Sequence, residues 1–317
     1  MHAWPYQDLK ISAWVLLPIA FGVLLSRRGV SRRVASRLFA LSFYGCQTAV
    51  TACAIWIARI QAEARVLPAL ALSGWLVTAG LAWLVSRKLE GKAQARGAFI
   101  LSMAMSNNGF TLLGFVALAA FGEAGLAQAT YTQLLYTPFF LLCCFPIARA
   151  FGRQAEPQPL SKTLLENAVD PRVWLPLSAI SLGLALNVGQ VPRPAFVPQL
   201  TRGLIFVGTA MSSCAIGLIF GGFHLRRYWR ENLLSLVYRC TLYPILYWGI
   251  ARLAHLSPLD TRILVLYGLV PSALLANMLA VFFDLDSDLT SSVFMVSTVS
   301  FLLFVLPAYL ISAQPSF

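Results

Sequence analysis

The stretch MSNNGFTLLG, residues 105–114, places two asparagines and a glycine near the middle of a hydrophobic segment. Apolar residues continue on both sides, as GAFILSMA before the stretch and FVALAAF after it. Asn and Gly weaken a helix, because Asn competes for backbone hydrogen bonds and Gly loses more conformational entropy when it is ordered. In lipid an unsatisfied backbone group costs several kcal/mol, so a break is tolerated only where protein or a water-filled cavity satisfies it. The sequence therefore predicts a membrane helix that is broken at 107–109.

A second hydrophobic segment is interrupted in LVPSALLAN, residues 269–277. Its proline, Pro271, removes a backbone donor and clashes with the preceding turn. A shift of 161 residues aligns Phe110 with Pro271, and the same shift aligns Pro146 with Pro307. Two breaks at matching positions of two halves are the best indication in a sequence of a transporter's binding site.

Each break is expected to start a half-helix near the middle of the bilayer. The first N–H groups of such a helix and its positive dipole end favour a carboxylate or another anion. Asparagine and serine side chains add donors without placing net charge in the membrane. The predicted substrate-binding residues at the two breaks are Asn107, Asn108, Gly109, Phe110, Pro271, Ser272 and Asn277. A proline or glycine kink with buried polar contacts between helices is the plainer alternative.

The composition is that of a membrane protein. Of the 317 residues, 58% are hydrophobic and 11% are charged, whereas a soluble domain is usually about a quarter charged. The apolar runs are continuous rather than alternating, and each is long enough to cross the bilayer as a helix. The sequence predicts an all-α membrane protein with ten spans, at approximately 9–26, 37–58, 66–86, 97–121, 124–149, 172–190, 200–223, 232–254, 261–283 and 288–312.

The basic residues predict the orientation of these spans. Sixteen of the 24 Lys and Arg residues fall in loops on one side, seven fall on the other, and Arg239 lies within the eighth span. The side with more basic residues is expected to be cytoplasmic, so both termini are predicted to face outward. The second half then enters from the opposite side, which predicts a five-plus-five inverted repeat. Its boundaries are 1–151 for the first repeat, 152–171 for a cytoplasmic linker and 172–317 for the second repeat.

Other functional classes find little support in the sequence. The net charge of +12 sits in short loops between apolar runs, which is typical of membrane topology and not of nucleic-acid binding. The six cysteines lie inside apolar runs without metal-ligand spacing, and neither a metal site nor a cofactor is predicted. The N-terminus lacks a basic n-region, so no removable signal peptide is expected. Short loops and the absence of a targeting segment favour a bacterial inner membrane.

Three further groups of residues are candidates with open alternatives. Tyr131 and Gln133 open the fifth span and are predicted to line the cavity, although interfacial residues of this type are common. Arg239 is expected to attract an anion or to pair with a carbonyl, or else to extend to the cytoplasmic interface. The acidic loop FDLDSDL, residues 283–289, has three close carboxylates of the kind that bind a hard cation in an intramembrane enzyme. A solvated turn is the simpler interpretation of that loop.

The order of several motifs resembles the auxin efflux carrier family, including its bacterial members related to malonate carriers. In the first half the motifs are SNNGF and AAFGEAGLAQATYTQ. In the second half they are WLPLSAISLGLALNVGQVPRP, IGLIFGGFHL, RCTLYPIL, LVPSALLANMLAVFF and SSVFMVSTVSFLLFVLPAYL. The family's asparagine falls on Asn107 and its ninth-span proline on Pro271. The family often has a proline a few residues after that asparagine, whereas here Thr111, Leu112 and Leu113 follow.

The resemblance implies a fold and a mechanism. The fold is a ten-helix inverted repeat with crossing fourth and ninth helices, like that of sodium/proton antiporters and bile-acid transporters. Spans 1, 2, 6 and 7 would form a scaffold domain, spans 3–5 and 8–10 would form a moving transport domain, and the protein would be a homodimer. The family's substrates are organic anions such as auxin or dicarboxylates.

The predicted function is therefore secondary transport of a small organic anion by an elevator-type mechanism in a lipid membrane. All twelve acidic residues lie in loops or at the ends of predicted spans, so no proton relay is expected, whereas Na⁺ could still bind to carbonyl, Asn and Ser oxygens. The alternatives are a symporter coupled to Na⁺ or H⁺, and a membrane sensor or scaffold of the same fold that does not transport. An intramembrane enzyme depends on the acidic loop alone.

Overall fold

Helices make up nearly all of the part of the protein that the structure describes. The computed structural model describes residues 4–57, 63–89, 91–152, 171–219 and 226–312. Within these ranges sheet pairing is limited to one antiparallel bridge between Ser106 and Ser272. Six of the described helices are long and apolar enough to cross a membrane, so the prediction of an all-α membrane protein is confirmed at this level. The predicted linker at 152–171 falls almost entirely outside the described residues.

The helical segments are named here in chain order. They are α1 (Trp4–Arg27), α2 (32–57), α3 (Leu67–Ser86), α4 (Ala93–Ala104), α5 (110–132), α6 (136–151), α7 (Pro171–Val188), α8 (Val197–Ile219), α9 (229–253), α10 (Pro258–Leu269), α11 (Leu274–Phe282) and α12 (287–312). A short 3-10 turn, Glu63–Val66, precedes α3. Gly122 has φ 66 and ψ −157, a conformation that favours glycine, and it bends α5 between the predicted fourth and fifth spans.

Wide π-helical turns interrupt three of the long helices just before a proline. The turns are Phe140–Cys144 in α6, Tyr238–Leu242 in α9 and Phe301–Val305 in α12. Each ends two residues before a proline, at positions 146, 244 and 307. A proline ring clashes with the carbonyl four residues earlier and leaves that carbonyl without its helical donor. In each case that carbonyl lies inside the wide turn, so the local widening has an identifiable cause.

Both predicted breaks are present, and the two broken segments cross each other. Helix α4 ends at Ala104 before α5 begins, and α10 ends at Leu269 before α11 begins. The amide of Asn107 donates to the carbonyl of Pro271 at 2.8 Å, and the amide of Ala273 donates to the carbonyl of Met105 at 2.9 Å. The two breaks therefore satisfy part of each other's backbone, as a break within a membrane requires.

The crossing lies deep in the protein because α4 is surrounded by other helices. Every residue of α4 from Gly97 to Ala104 is buried, and the helix contacts α3, α6, α11 and α12. A helix that is apolar on all sides is stable in such a position. By contrast, the outside of the protein exposes large apolar side chains such as Leu17, Ile245 and Phe304, which is typical of a lipid-facing surface.

A close glycine contact joins α1 to α8. A Cβ atom added to Gly217 would lie against the backbone carbonyl of Ile19 and within 2.9 Å of the Cα atom of Gly22. Small residues of this kind let two membrane helices approach closely. Helix α2 in turn contacts both α7 and α8, so α1, α2, α7 and α8 form one packed group.

We expect Gly217→Ala to lower the stability of the protein, because the new methyl group has only backbone in its way. Overpacking of this kind typically costs about 1–3 kcal/mol. The measurement is the melting temperature of the detergent-purified protein. Gly203→Ala is the matched control, since Gly203 lies on the same helix with nothing within 4 Å of an added Cβ. Equal melting temperatures for the two variants would contradict the close packing of α1 on α8.

Candidate functional site

A cavity of about 350 Å³ lies against the crossing of the two broken helices. It is bounded by parts of α2, α5–α8 and α11 together with the first break, so it lies where the two breaks meet the α1, α2, α7 and α8 group. Its lining combines aromatic, aliphatic and neutral polar side chains, and none of the lining side chains is charged. The polar lining residues are Ser42, Tyr44, Gln47, Thr51, Ser106, Asn107, Asn108, Thr130, Gln133, Tyr136, Thr137 and Ser212.

Asn108 is the most informative residue of this lining. Its side chain is 2% exposed, and neither its amide oxygen nor its amide nitrogen has a hydrogen-bond partner among the described residues. Leaving a buried donor or acceptor unsatisfied costs about 1–3 kcal/mol for each group. Buried polar groups without a protein partner are uncommon and occur preferentially where a ligand or ordered water binds. Asn108 therefore places a donor and an acceptor without protein partners in the wall of the cavity.

Two helix N-termini meet at the same cavity. Helix α5 begins directly after Gly109, which has an extended backbone with φ −62 and ψ 169. Helix α11 begins after Ala273, and Ala273, Leu274 and Leu275 all line the cavity. The first N–H groups of a helix have no intrahelical acceptor and carry the positive end of the helix dipole. The site thus presents partial positive charge from two directions without a charged side chain in its wall.

The predicted site residues divide into two sets in the structure. Asn107, Asn108, Gly109 and Gln133 line the cavity. Three residues of the second break, Pro271, Ser272 and Asn277, do not line it, and neither do Phe110 or Tyr131.

The residues that do not line the cavity have other surroundings. The Ser272 hydroxyl donates to the carbonyl of Ser102 at 2.8 Å, and its amide donates to the Ser297 hydroxyl at 3.2 Å. Phe110 packs against Gly208 of α8. A Cβ atom added to Gly208 would lie within 2.7 Å of the Phe110 ring. Sequence reasoning identified the breaks as the site but did not separate residues that face the cavity from residues that hold the crossing together.

One wall of the cavity was not predicted at all. Phe39, Phe43, Gln47 and Thr51 follow one another along α2 at intervals of four residues and line the cavity together. Residues four apart lie on one face of a helix. The signal that could have revealed this wall is the pair Gln47 and Thr51, two polar residues on one face of an apolar span.

Arg239 lies behind the crossing and does not extend to the membrane surface. It is 2% exposed. Its Nη1 donates to the Val270 carbonyl at 2.8 Å, and its Nη2 donates to the Ser102 carbonyl at 2.7 Å and the Met105 carbonyl at 3.1 Å. These carbonyls belong to the C-terminal ends of α4 and α10, where the last carbonyls of a helix have no intrahelical donor.

The acidic loop caps a helix. Asp286 accepts a hydrogen bond from the amide of Leu289 at 3.0 Å, at the start of α12, and another from the Tyr228 hydroxyl at 2.9 Å. Burial, and then the bond to Asp286, raises the pKa of Tyr228 above its usual range, so this phenol remains a donor. Within the described ranges, no group of three His, Cys, Asp or Glu side chains is placed to hold a metal ion.

Comparison with known proteins adds two relatives. No protein-family model matches the chain. An uncharacterized transporter of Methanocaldococcus jannaschii is 26% identical over 236 residues, which is 71% of this chain and 72% of the relative. An uncharacterized transporter of Methanothermobacter thermautotrophicus is 26% identical over 238 residues, which is 74% of each chain. Both relatives are named as transporters, and this agrees with the multi-pass membrane fold.

We expect Asn108→Leu to leave the ligand-free protein at least as stable as the wild type. The leucine has a similar volume and removes two buried polar atoms that lack partners, a change that is often neutral or stabilising. The melting temperature measures this effect. Ser272→Ala serves as the contrast, because it removes a fully buried hydroxyl that is bonded to Ser102 and should cost about 1 kcal/mol. A larger loss in Asn108→Leu than in Ser272→Ala would mean that the Asn108 amide holds the fold together.

Proposed function

We propose that the protein is a secondary transporter that moves a small organic anion, a carboxylate, across the membrane by an elevator-type mechanism. The observation that carries this proposal is the combination of Asn108, buried and without protein partners for its amide, with two helix N-termini at one uncharged cavity. Helix N-termini and amide donors bind a carboxylate by hydrogen bonds and dipole attraction without a fixed counter-charge in the wall.

The proposed topology is ten spans in a five-plus-five inverted repeat with both termini outside the cytoplasm. Besides the matched breaks, the π-helical turns support it. The turns Phe140–Cys144 and Phe301–Val305 are separated by 161 residues, the same shift that aligns Phe110 with Pro271 and Pro146 with Pro307. A repeated local distortion at a fixed distance is expected when two halves derive from one unit.

The proposed scaffold consists of α1, α2, α7 and α8, and the remaining helices form the proposed transport domain. The packing of α1 on α8 and of α2 on α7 and α8 supports this division. The cavity has α2, α7 and α8 on one side and the crossing, α6 and α11 on the other. A substrate held between two such units is exposed to alternate sides when one unit slides past the other.

The size and lining of the cavity set limits on the proposed substrate. About 350 Å³ suits a small molecule. The aromatic side chains of Phe43, Tyr136 and Phe140 offer apolar contact to its body, while Asn108 and the helix N-termini bind its carboxylate. Auxin-like monocarboxylates and short dicarboxylates both satisfy this description. Membership of the auxin efflux carrier family, a homodimer and a bacterial inner membrane are part of the same proposal.

Transport is tested by charge movement in proteoliposomes on a solid-supported membrane, with mono- and dicarboxylates and indole acids as substrates. We expect a current with the wild type and at least a tenfold loss in Asn108→Ala, because a hydrogen bond to a charged group is worth about 1.5–3 kcal/mol. Asn107→Ala should also lose transport, since this residue lines the cavity.

Asn277→Ala is the matched control, because Asn277 lies on α11 but does not line the cavity. Equal loss in Asn108→Ala and Asn277→Ala would remove Asn108 from the binding site. If folded wild type gives neither current nor isotope flux for any of these carboxylates, the carboxylate-transport proposal fails. Ligand-induced thermal stabilisation without flux would instead favour a membrane sensor of the same fold.

A further inference from the structure

The guanidinium of Arg239 is a buried charge whose hydrogen-bond partners are all neutral oxygen atoms. Besides the carbonyls of Ser102, Met105 and Val270, it donates to the Ser106 hydroxyl at 2.9 Å. Glu123 forms ion pairs with Arg193 and Arg202, and Arg239 is not part of that cluster. Burying a charge is costly unless it is paired or coordinated.

Compensation for this charge comes from the ends of two helices. Helix α4 ends at Ala104 and α10 ends at Leu269, and the carbonyls that accept from Arg239 lie in or just after their last turns. A helix C-terminus carries partial negative charge on its unpaired carbonyls. In ion-coupled carriers, the unwound carbonyls and half-helix C-termini of discontinuous helices coordinate the coupling cation. The oxygen atoms around Arg239 are a set of this type.

We propose that the Arg239 guanidinium is a resident cation of the crossing, which takes the place where a coupled carrier binds Na⁺. The charge is then supplied by the chain itself, so the crossing is complete without an inorganic cation. One consequence is that anion binding and transport do not depend on Na⁺, and this consequence alone rests on the proposed transport function.

The position of Arg239 also explains how it acts on the cavity without lining it. Its Nη1 donates to the hydroxyl of Ser106, and Ser106 lines the cavity. At the crossing, the negative ends of α4 and α10 meet the positive ends of α5 and α11. Because Arg239 offsets the negative ends, the positive ends that face the cavity are left to act on an anion. Arg239 is thus a positioning and electrostatic residue that does not touch the substrate.

A purely mechanical role is the competing explanation, in which Arg239 only ties the two breaks together through its hydrogen bonds. The two roles differ in their response to added cations. Guanidinium brings back hydrogen-bond donors as well as charge, so it can restore a mechanical tie, whereas Na⁺ has no donors and cannot. A cation site that has lost its resident charge should bind a small cation in the space that the side chain leaves.

The experiment compares the melting temperatures of detergent-purified wild type and Arg239→Ala in choline, sodium and guanidinium chloride at equal, low millimolar concentration. We expect the wild type to melt at the same temperature in all three salts. We expect Arg239→Ala to melt lower in choline and to recover, in a saturable manner, in sodium as well as in guanidinium. Full-length protein is used throughout, and no substrate is added.

Arg239→Lys and Arg239→Met provide the second measurement if Arg239→Ala does not fold. Both lose the guanidinium fork, but only lysine retains a cation, so the lysine variant should melt close to the wild type and well above the methionine variant. Equal loss in these two variants would overturn the proposal, as would an Arg239→Ala protein that folds and does not recover in sodium, whether or not it recovers in guanidinium. A wild type that melts higher in sodium than in choline would also overturn it.

These outcomes are separate from those of the transport test. The melting measurements contain no carboxylate, so their failure leaves the proposed anion transport untouched. Wild-type flux adds one further comparison: the initial rate in choline medium should equal the rate in sodium medium at the same pH. A rate that requires sodium would overturn the resident cation while supporting transport.

Discussion

Each helix that is broken within a membrane releases backbone donors and acceptors that lipid cannot satisfy. The crossing resolves this constraint in two ways. The extended segments bond to each other through the Asn107 amide and the Pro271 carbonyl, and through the Ala273 amide and the Met105 carbonyl. The carbonyls that remain at the ends of α4 and α10 accept from Arg239. The buried position of α4 follows from the same constraint, since a broken segment has to be surrounded by protein.

An asymmetry in this arrangement favours an anion site. The protein provides partners for the carbonyl ends of the broken helices, through a cation and hydroxyl groups, but the N-terminal ends of α5 and α11 open toward the cavity. The same face carries the unpartnered amide of Asn108. The buried amide of Asn108 lowers the stability of the protein, because it has no hydrogen-bond partner among the described residues. Such local destabilisation is common at binding sites. In the proposed transport of an anion, an uncharged wall would keep binding reversible, because no fixed counter-charge has to be separated from the substrate on release.

The sequence predicted the features that depend on local chemistry. Apolar runs and weak helix formers were sufficient to predict an all-α membrane protein and the two breaks, and Asn107, Asn108, Gly109 and Gln133 do line a cavity there. The sequence did not show which residues of a broken segment face the cavity, because this depends on how the segment is rotated about its axis. Ser272 has the same chemistry as the cavity residues, yet its hydroxyl faces the Ser102 carbonyl. The partners of Arg239 lie 31 residues or more from it in the chain, and the wall formed by α2 is also distant from the breaks that it meets. No short-range pattern encodes such contacts.

The absence of a proline after Asn107 does not remove the first break, and the geometry of the second break explains why. Pro271 disfavours helical backbone at Val270, the residue before it, and Val270 is extended with φ −61 and ψ 145. The hydrogen bonds between the two segments then fix the backbone of the partner, where Met105 is also extended, with φ −100 and ψ 117. Helix α5 restarts through a wide π-helical turn, Phe110–Gly114, and needs no proline to set its first dihedral angle. One proline is therefore sufficient for two breaks when each break is the hydrogen-bond partner of the other.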